Sequence, residues 1–181
     1  MIQDTARMQE KLQEKIDGYS DMLFKIAYVR TGNRADAEDI VQETFYQYLR
    51  TSKVFDSEEY ERAWLIRVTI NGCRKMWRSG FYRRRSDVPA PESGTAIDFG
   101  EAEEQGPEEH FLDKERARTV LEAVRELPAA YRDVIHLFYY EELSVKEIAE
   151  ILERKVSTVT SQLTRGRELL KKSLKEEYDL A

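Results

Sequence analysis

Proline placement sets the outer limit on this fold. Three of the four prolines fall between residues 86 and 110, in "SDVPAPESGTAIDFGEAEEQGPEEH", with three of the eight glycines and eight carboxylates but no Arg or Lys. Such a stretch interrupts helices and sheet ladders and holds few large apolar residues to bury, so it reads as a flexible acidic linker. On either side apolar residues recur at spacings of three and four, and no convincing run alternates with period two. The expected fold class is all-α: two small helical domains, about 1–85 and 111–181, joined by the linker 86–110.

With 181 residues and 41% apolar content, two compact units with their own cores are within reach. A net charge of -6 argues against a general nucleic-acid binder, but the charge is segregated. Residues 74–85, "RKMWRSGFYRRR", carry six Arg/Lys and no acid, immediately before the acidic stretch. Cys73 is the sole cysteine, which excludes an intramolecular disulfide, and with two His it leaves no cluster of zinc-ligand spacing. No metal or cofactor is therefore expected. No apolar run approaches the roughly 18 residues of a membrane span, and "MIQDTARMQEKLQEKI" lacks the apolar core of a secretory signal, so a cytoplasmic location is expected.

In the first domain, Tyr19, Met22, Leu23, Ile26 and Ala27 mark a helix ending near "TGN", where Gly32 and Asn33 accommodate positive backbone angles. The next helix places Ala37, Ile40, Val41, Thr44, Phe45 and Tyr48 on one side. At about 100° per residue, Asp39, Gln42, Glu43 and Tyr46 fall together on the other. Taken by periodicity alone, that polar stripe is a solvated face. Ser57 is expected to cap a third helix running through Trp64, Leu65, Val68 and Cys73 into the basic stretch.

In the second domain, Leu112, Val120, Leu121 and Val124 form one helix, and Pro128 suits the first turn of another carrying Tyr131, Val134, Ile135 and Phe138. Ser144 followed three residues later by Glu147 is a capping box. Val145, Ile148, Ala149 and Leu152 then face inward, and after "ERK" the pattern resumes at Val156, Val159, Leu163, Gly166, Leu170 and Leu174, with Ser157 expected as N-cap. Two helices and a short corner make a helix-turn-helix. Thr158, Ser161, Gln162 and Arg165 on the second helix suit base edges in a major groove, and Arg154, Lys155, Arg167, Lys171 and Lys172 suit phosphates. A hairpin that merely packs also carries Ser/Thr-rich capped helices. The local balance over 144–175, eight cations against four acids, favours DNA contact.

Two long stretches also resemble a known family. "YSDMLFKIAYVRTGNRADAEDIVQETFYQYLR" is similar to the conserved second region of sigma-70 family RNA polymerase sigma factors, and "LPAAYRDVIHLFYYEELSVKEIAEILERKVSTVTSQLTRGRELLKKSL" to their fourth. The two in this order, with only a short linker between, resemble the extracytoplasmic-function (ECF) subfamily. The resemblance implies a promoter-specificity factor that is not an enzyme, with core RNA polymerase, promoter DNA and an anti-sigma factor as partners and no lipid or small-molecule substrate. It implies that Asp39, Gln42, Glu43 and Tyr46 contact the polymerase, replacing the solvated-face reading of that stripe.

The resemblance further implies that residues from about Ser52 to Arg78 open the downstream (-10) element, for which Trp64, Asn71, Arg74, Lys75 and Arg78 are candidates and Arg83 to Arg85 hold phosphates less specifically. Trp64 equally suits a core. Residues 144–172 would read the upstream (-35) element as duplex. The linker would thread the RNA exit channel, where its carboxylates, Glu101, Glu103 and Glu104 among them, mimic RNA or simply confer solubility. Departures from the family pattern are Glu153 where many relatives have Gly, Thr160 and Gln162 where they have Lys and Arg, Gly166 in place of Ala, and "RVTINGC" for an "RIARN" type. Two rivals are a stand-alone helix-turn-helix regulator, which binds a palindrome as a dimer without polymerase, and a nuclease, which needs carboxylates or His clustered around a metal.

Overall fold

A computed structural model of the chain describes residues 2–51, 53–79 and 107–179. Among these, seven helices and no strands are present: α1 Ile2–Thr31, α2 Arg34–Arg50, α3 Glu58–Arg78, α4 Pro107–Glu126, α5 Ala129–Tyr139, α6 Val145–Leu152 and α7 Val156–Asp179. Backbone proximity divides the chain into one unit over Met1–Ser79 and another over Gly80–Ala181. Arg83 to Arg85, Ser52, and the linker as far as Gly106 lie outside the described residues, and so do the readings placed on them. The last four residues assigned to the linker instead open α4. Pro107 stands at its first position, where the missing N–H would have no helical partner in any case.

In the first unit, Gly32 reverses the chain after α1 at φ 68°, and its N–H bonds the Tyr28 carbonyl at 2.8 Å. Asn33 does not share that conformation. It sits at φ -133° as the N-cap of α2, its side chain accepting from the Asp36 N–H at 3.1 Å, so a single left-handed residue suffices for the turn. Ser57 caps α3 as expected, accepting from the Tyr60 N–H. Leu23, Ile26, Val29, Leu65, Ile66 and Ile70 form the buried centre. Cys73 packs with Ala27, Ala37 and Ile40, a group of mostly small side chains that lets the helices approach closely. A Cβ on Gly72 would stand 3.3 Å from Ile40 Cγ2, and beside it the Thr44 and Thr69 hydroxyls meet at 3.2 Å across the α2–α3 contact.

One buried carboxylate joins all three helices. Glu61 of α3 accepts hydrogen bonds from Lys15 at 2.6 Å and Tyr19 at 3.2 Å on α1, and from the Tyr48 hydroxyl on α2. Burial alone would push the Glu61 carboxyl up, but the donors from Lys15, Tyr48 and Tyr19 outweigh it and hold the group below its usual range. Burial and the same carboxylate push Tyr48 up to about 12.

In the second unit, Pro128 stands just before α5 rather than inside it, and its carbonyl accepts from the Tyr131 and Arg132 N–H groups. The capping box at α6 is complete: Ser144 Oγ accepts from the Glu147 N–H at 3.2 Å while Glu147 Oε2 accepts from the Ser144 N–H at 2.8 Å. At the corner, Glu153 adopts φ 55°, ψ 47°, and the Arg154 N–H reaches back to the Ala149 carbonyl, closing the helix end in a Schellman arrangement. The compact turn lets α7 begin at Val156, with the Lys155 carbonyl accepting from the Val159 N–H. Ser157 is thus inside the first turn and not its cap, and Val156, expected to be buried, is 51% exposed. Val159, Leu163 and Gly166 face the core with Val134, Ile135, Leu137, Ile148 and Leu152. No helix among the described residues is long and apolar enough to cross a membrane.

Candidate nucleic-acid interface

The Ser/Thr-rich start of α7 is presented to solvent because its core contacts fall three and four residues apart. Val159, Leu163 and Gly166 take the inner side, which leaves Thr158, Ser161, Arg165 and Lys172 along the outer one, all exposed. Thr160, Ser161 and Thr164 each donate their hydroxyl proton to the carbonyl four residues back, at 3.0, 3.0 and 3.1 Å. Their oxygens therefore meet an approaching base edge as acceptors. Ser157, Thr158, Ser161, Gln162 and Arg165 line a groove with Ala130 and Tyr131 at the start of α5.

The five cations assigned to phosphates divide. Lys155, Lys171 and Lys172 are exposed. Arg167 is exposed too, but about 120° round the helix from Ser161 and about 160° from Arg165, where its Nε donates to the Tyr139 hydroxyl at 2.6 Å and its guanidinium lies over the Phe138 and Tyr139 rings. Arg154 turns inward, bonding the Ala130 carbonyl at 3.2 Å and Gln162 at 2.9 Å, with Asp133 3.8 Å away. That placement makes it a brace between the corner, α5 and α7.

On the first unit, Asn71, Arg74, Lys75 and Arg78 follow one another at spacings of three and four along α3, and Asn71, Lys75 and Arg78 are exposed. Arg74 Nη1 donates to the side-chain Oδ1 of Asn71 at 3.4 Å. Trp64 lies two turns before Asn71 on the same side. It is half-buried, packed against Phe55 and Tyr48 with ring centroids 5.6 and 6.2 Å apart, and Lys53 reaches over its ring. Both readings of Trp64 thus have a physical basis, since one part of the ring packs and another faces solvent.

Asp39, Gln42, Glu43 and Tyr46 are all exposed on α2, opposite the buried Ala37, Ile40, Thr44 and Phe45. Two neighbours escape a reading based on polarity. Leu49, 54% exposed, continues the stripe three residues beyond Tyr46, and Arg50 lies over the Tyr46 ring at 5.4 Å. The signal was present, since Leu49 stands outside the apolar side that its helix buries. Among the described residues no group of three or more His, Cys, Asp or Glu is placed to hold a metal ion.

Comparison with known proteins gives these surfaces a context. Residues 16–81 match the family described as Sigma-70 region 2, and residues 117–170 match Sigma-70, region 4. The ECF RNA polymerase sigma factor SigW of Bacillus subtilis is 34% identical over 172 residues, which span 93% of this chain and 91% of that protein. SigE of Mycolicibacterium smegmatis is 32% identical over 158 residues, 87% of this chain and 59% of that protein. Among solved structures, the sigma factor RpoE in complex with the anti-sigma factor NepR, from Bartonella quintana, matches with a TM-score of 0.69 at 19% identity, covering 92% of this chain and 98% of that one. CnrH in complex with the cytosolic domain of CnrY gives 0.63 at 22% identity, covering 93% and 90%; both show the same fold. Carrying the second and fourth sigma regions in order, and sharing a third of its residues with an ECF relative over nearly the whole of both chains, this protein belongs to the ECF sigma factors of the sigma-70 family.

Proposed function

We propose that this initiation factor, which is not an enzyme, docks on core RNA polymerase through Asp39, Gln42, Glu43 and Tyr46. It reads the -35 element as duplex with α6 and α7, and opens the -10 element with Trp64, Asn71, Arg74, Lys75 and Arg78. The observation that carries this reading is the two-sidedness of α2. One side is consumed by the core, and the other exposes Asp39, Gln42 and Glu43 around Tyr46, an aromatic of the kind enriched at protein interfaces. Base contacts fall to Thr158, Ser161, Gln162 and Arg165, and phosphate contacts to Lys155, Arg167, Lys171 and Lys172. Two modest DNA contacts held together on one polymerase reinforce each other through effective concentration, so neither unit needs high affinity alone. The reading places the protein in the cytoplasm and includes an inhibitory protein partner of the kind seen with RpoE.

The test is co-purification with bacterial core RNA polymerase of the wild type and of a triple variant, Asp39→Ala, Gln42→Ala, Glu43→Ala. Stoichiometric binding by the wild type and its loss in a folded triple variant is expected. Absence of binding by the folded wild type would favour a stand-alone regulator that binds DNA without polymerase.

A further inference from the structure

Arg154 stands in the corner of the helix-turn-helix, where a cation ordinarily suggests a phosphate contact. Its guanidinium is engaged within the unit: Nη1 donates to the Ala130 carbonyl at 3.2 Å and to Gln162 Oε1 at 2.9 Å, and Nη2 lies 3.8 Å from Oδ2 of the buried Asp133. A guanidinium only donates, so the Gln162 amide has one orientation compatible with this bond, oxygen toward Arg154 and nitrogen away. Gln162 Nε2 makes no hydrogen bond to a described residue, and Gln162 lines the groove shared with Ser157, Thr158, Ser161 and Arg165.

We propose that Arg154 is a positioning residue that fixes the hydrogen-bond polarity of Gln162, so that the promoter base opposite Gln162 is read by amide donors. The inference rests on α7 being the helix that reads the upstream element. An unrestrained glutamine presents one donor and one acceptor side by side and pairs with adenine N6 and N7. With Oε1 held by Arg154, the nitrogen is the group offered to a base edge. Guanine, through N7 and O6, and thymine, through O4, match that donor; adenine offers N7 but sets its N6 donor beside it where Oε1 is already engaged, and cytosine, whose N4 donates, opposes it. Asp133 and the Ala130 carbonyl keep the guanidinium in place, so the polarity is set before DNA arrives.

The experiment uses holoenzyme assembled from the full chain and core polymerase, selecting duplexes randomised across the upstream element. Wild type, Arg154→Ala, Arg154→Lys and Gln162→Glu are compared, with circular dichroism confirming folding. Wild type is expected to enrich guanine or thymine at one position by on the order of tenfold. Gln162→Glu keeps an acceptor for Arg154 but has no donor, and should reverse the preference at that position toward cytosine or adenine. Arg154→Ala should flatten that position and leave the others unchanged, and Arg154→Lys, which still donates, should retain part of the preference. A Gln162→Glu profile identical to wild type overturns the proposal, as does a loss spread evenly over all positions in Arg154→Ala. Should Arg154→Ala unfold the second unit, the Gln162→Glu profile decides. A wild type that binds polymerase yet enriches no upstream sequence refutes the assignment of α7, and the inference with it.

Discussion

Replacing Gly166 by Ala should destabilise the second unit, although helix propensity alone predicts the reverse. A glycine inside a helix costs about 1 kcal/mol relative to alanine, and Gly166 lies in the middle of α7. Against that gain, an added Cβ would stand 2.8 Å from Ile135 Cγ1, 3.2 Å from its Cδ1 and 3.4 Å from Tyr131 Cβ. Ile135 is only 1% exposed, and its nearest atom, Cγ1, is held by the stiff χ1 of a β-branched side chain, so α5 or α7 must shift. Overpacking of this kind costs about 1–3 kcal/mol, which leaves a net loss of about 1 kcal/mol after the propensity gain. Thermal unfolding of the full chain followed by far-UV circular dichroism should show the transition of the second unit lowered by roughly 4–8 °C. Trp64 and Trp77 both lie in the first unit, so a tryptophan fluorescence transition should stay in place and report on that unit separately. Ile135→Ala removes the obstructing atoms, and it should cost less in the Gly166→Ala background than in wild type, by about 1 kcal/mol of coupling. A Gly166→Ala variant more stable than wild type would refute the close approach of α5 and α7 on which this reasoning rests.

Other outcomes follow from the corner, the buried carboxylate and the cations. Glu153→Gly should stabilise the second unit by about 1 kcal/mol in urea denaturation, because it removes a side chain from a left-handed position; an unchanged midpoint would contradict the φ of 55°. The Glu61 carboxyl is held below its usual range when folded, so its stabilisation is present above the unfolded value of about 4.5 and is lost as the pH falls through the lower folded value. Glu61→Gln should therefore lower first-unit stability by about 1–3 kcal/mol at neutral pH and flatten its acid limb, checked by fluorescence-detected unfolding between pH 3 and pH 7. Tyr48 has the opposite sign: its raised value favours the neutral phenol, so stability is intact below about pH 10 and declines toward 12. In holoenzyme–promoter titrations at several salt concentrations, Lys171→Ala should reduce the salt slope by about 1, whereas Arg154→Ala should leave it unchanged; equal slopes for Lys171→Ala and wild type would remove Lys171 from the phosphate contacts.

Much of this architecture is written in local signals. The two-sidedness of α2, the Ser57 cap and the Ser144–Glu147 capping box each depend on residues within one or two turns, and each is present in the structure. Readings departed from the structure where distant elements decide. Arg154 has the composition of a phosphate contact, but the Ala130 carbonyl and Asp133, more than twenty residues earlier, draw it inward. Ser157 has the chemistry of a cap, yet the tight left-handed corner starts the helix one residue before it. Gly166, a departure from the family's Ala, has its reason in α5, which supplies the close neighbour that excludes a Cβ. Glu61 gave no sign in sequence of joining three helices, because its partners at 15, 19 and 48 share no period with it.

The seam between α2 and α3 has a mechanical consequence. Gly72 against Ile40 and the Thr44–Thr69 contact leave no slack between the two helices, and Glu61 fastens both to α1. Close-packed contacts of this kind transmit displacement rather than absorb it. Whatever seats the outer side of α2 therefore also fixes the bearing of Asn71, Arg74, Lys75 and Arg78, much as the handle of a key sets the angle of its teeth.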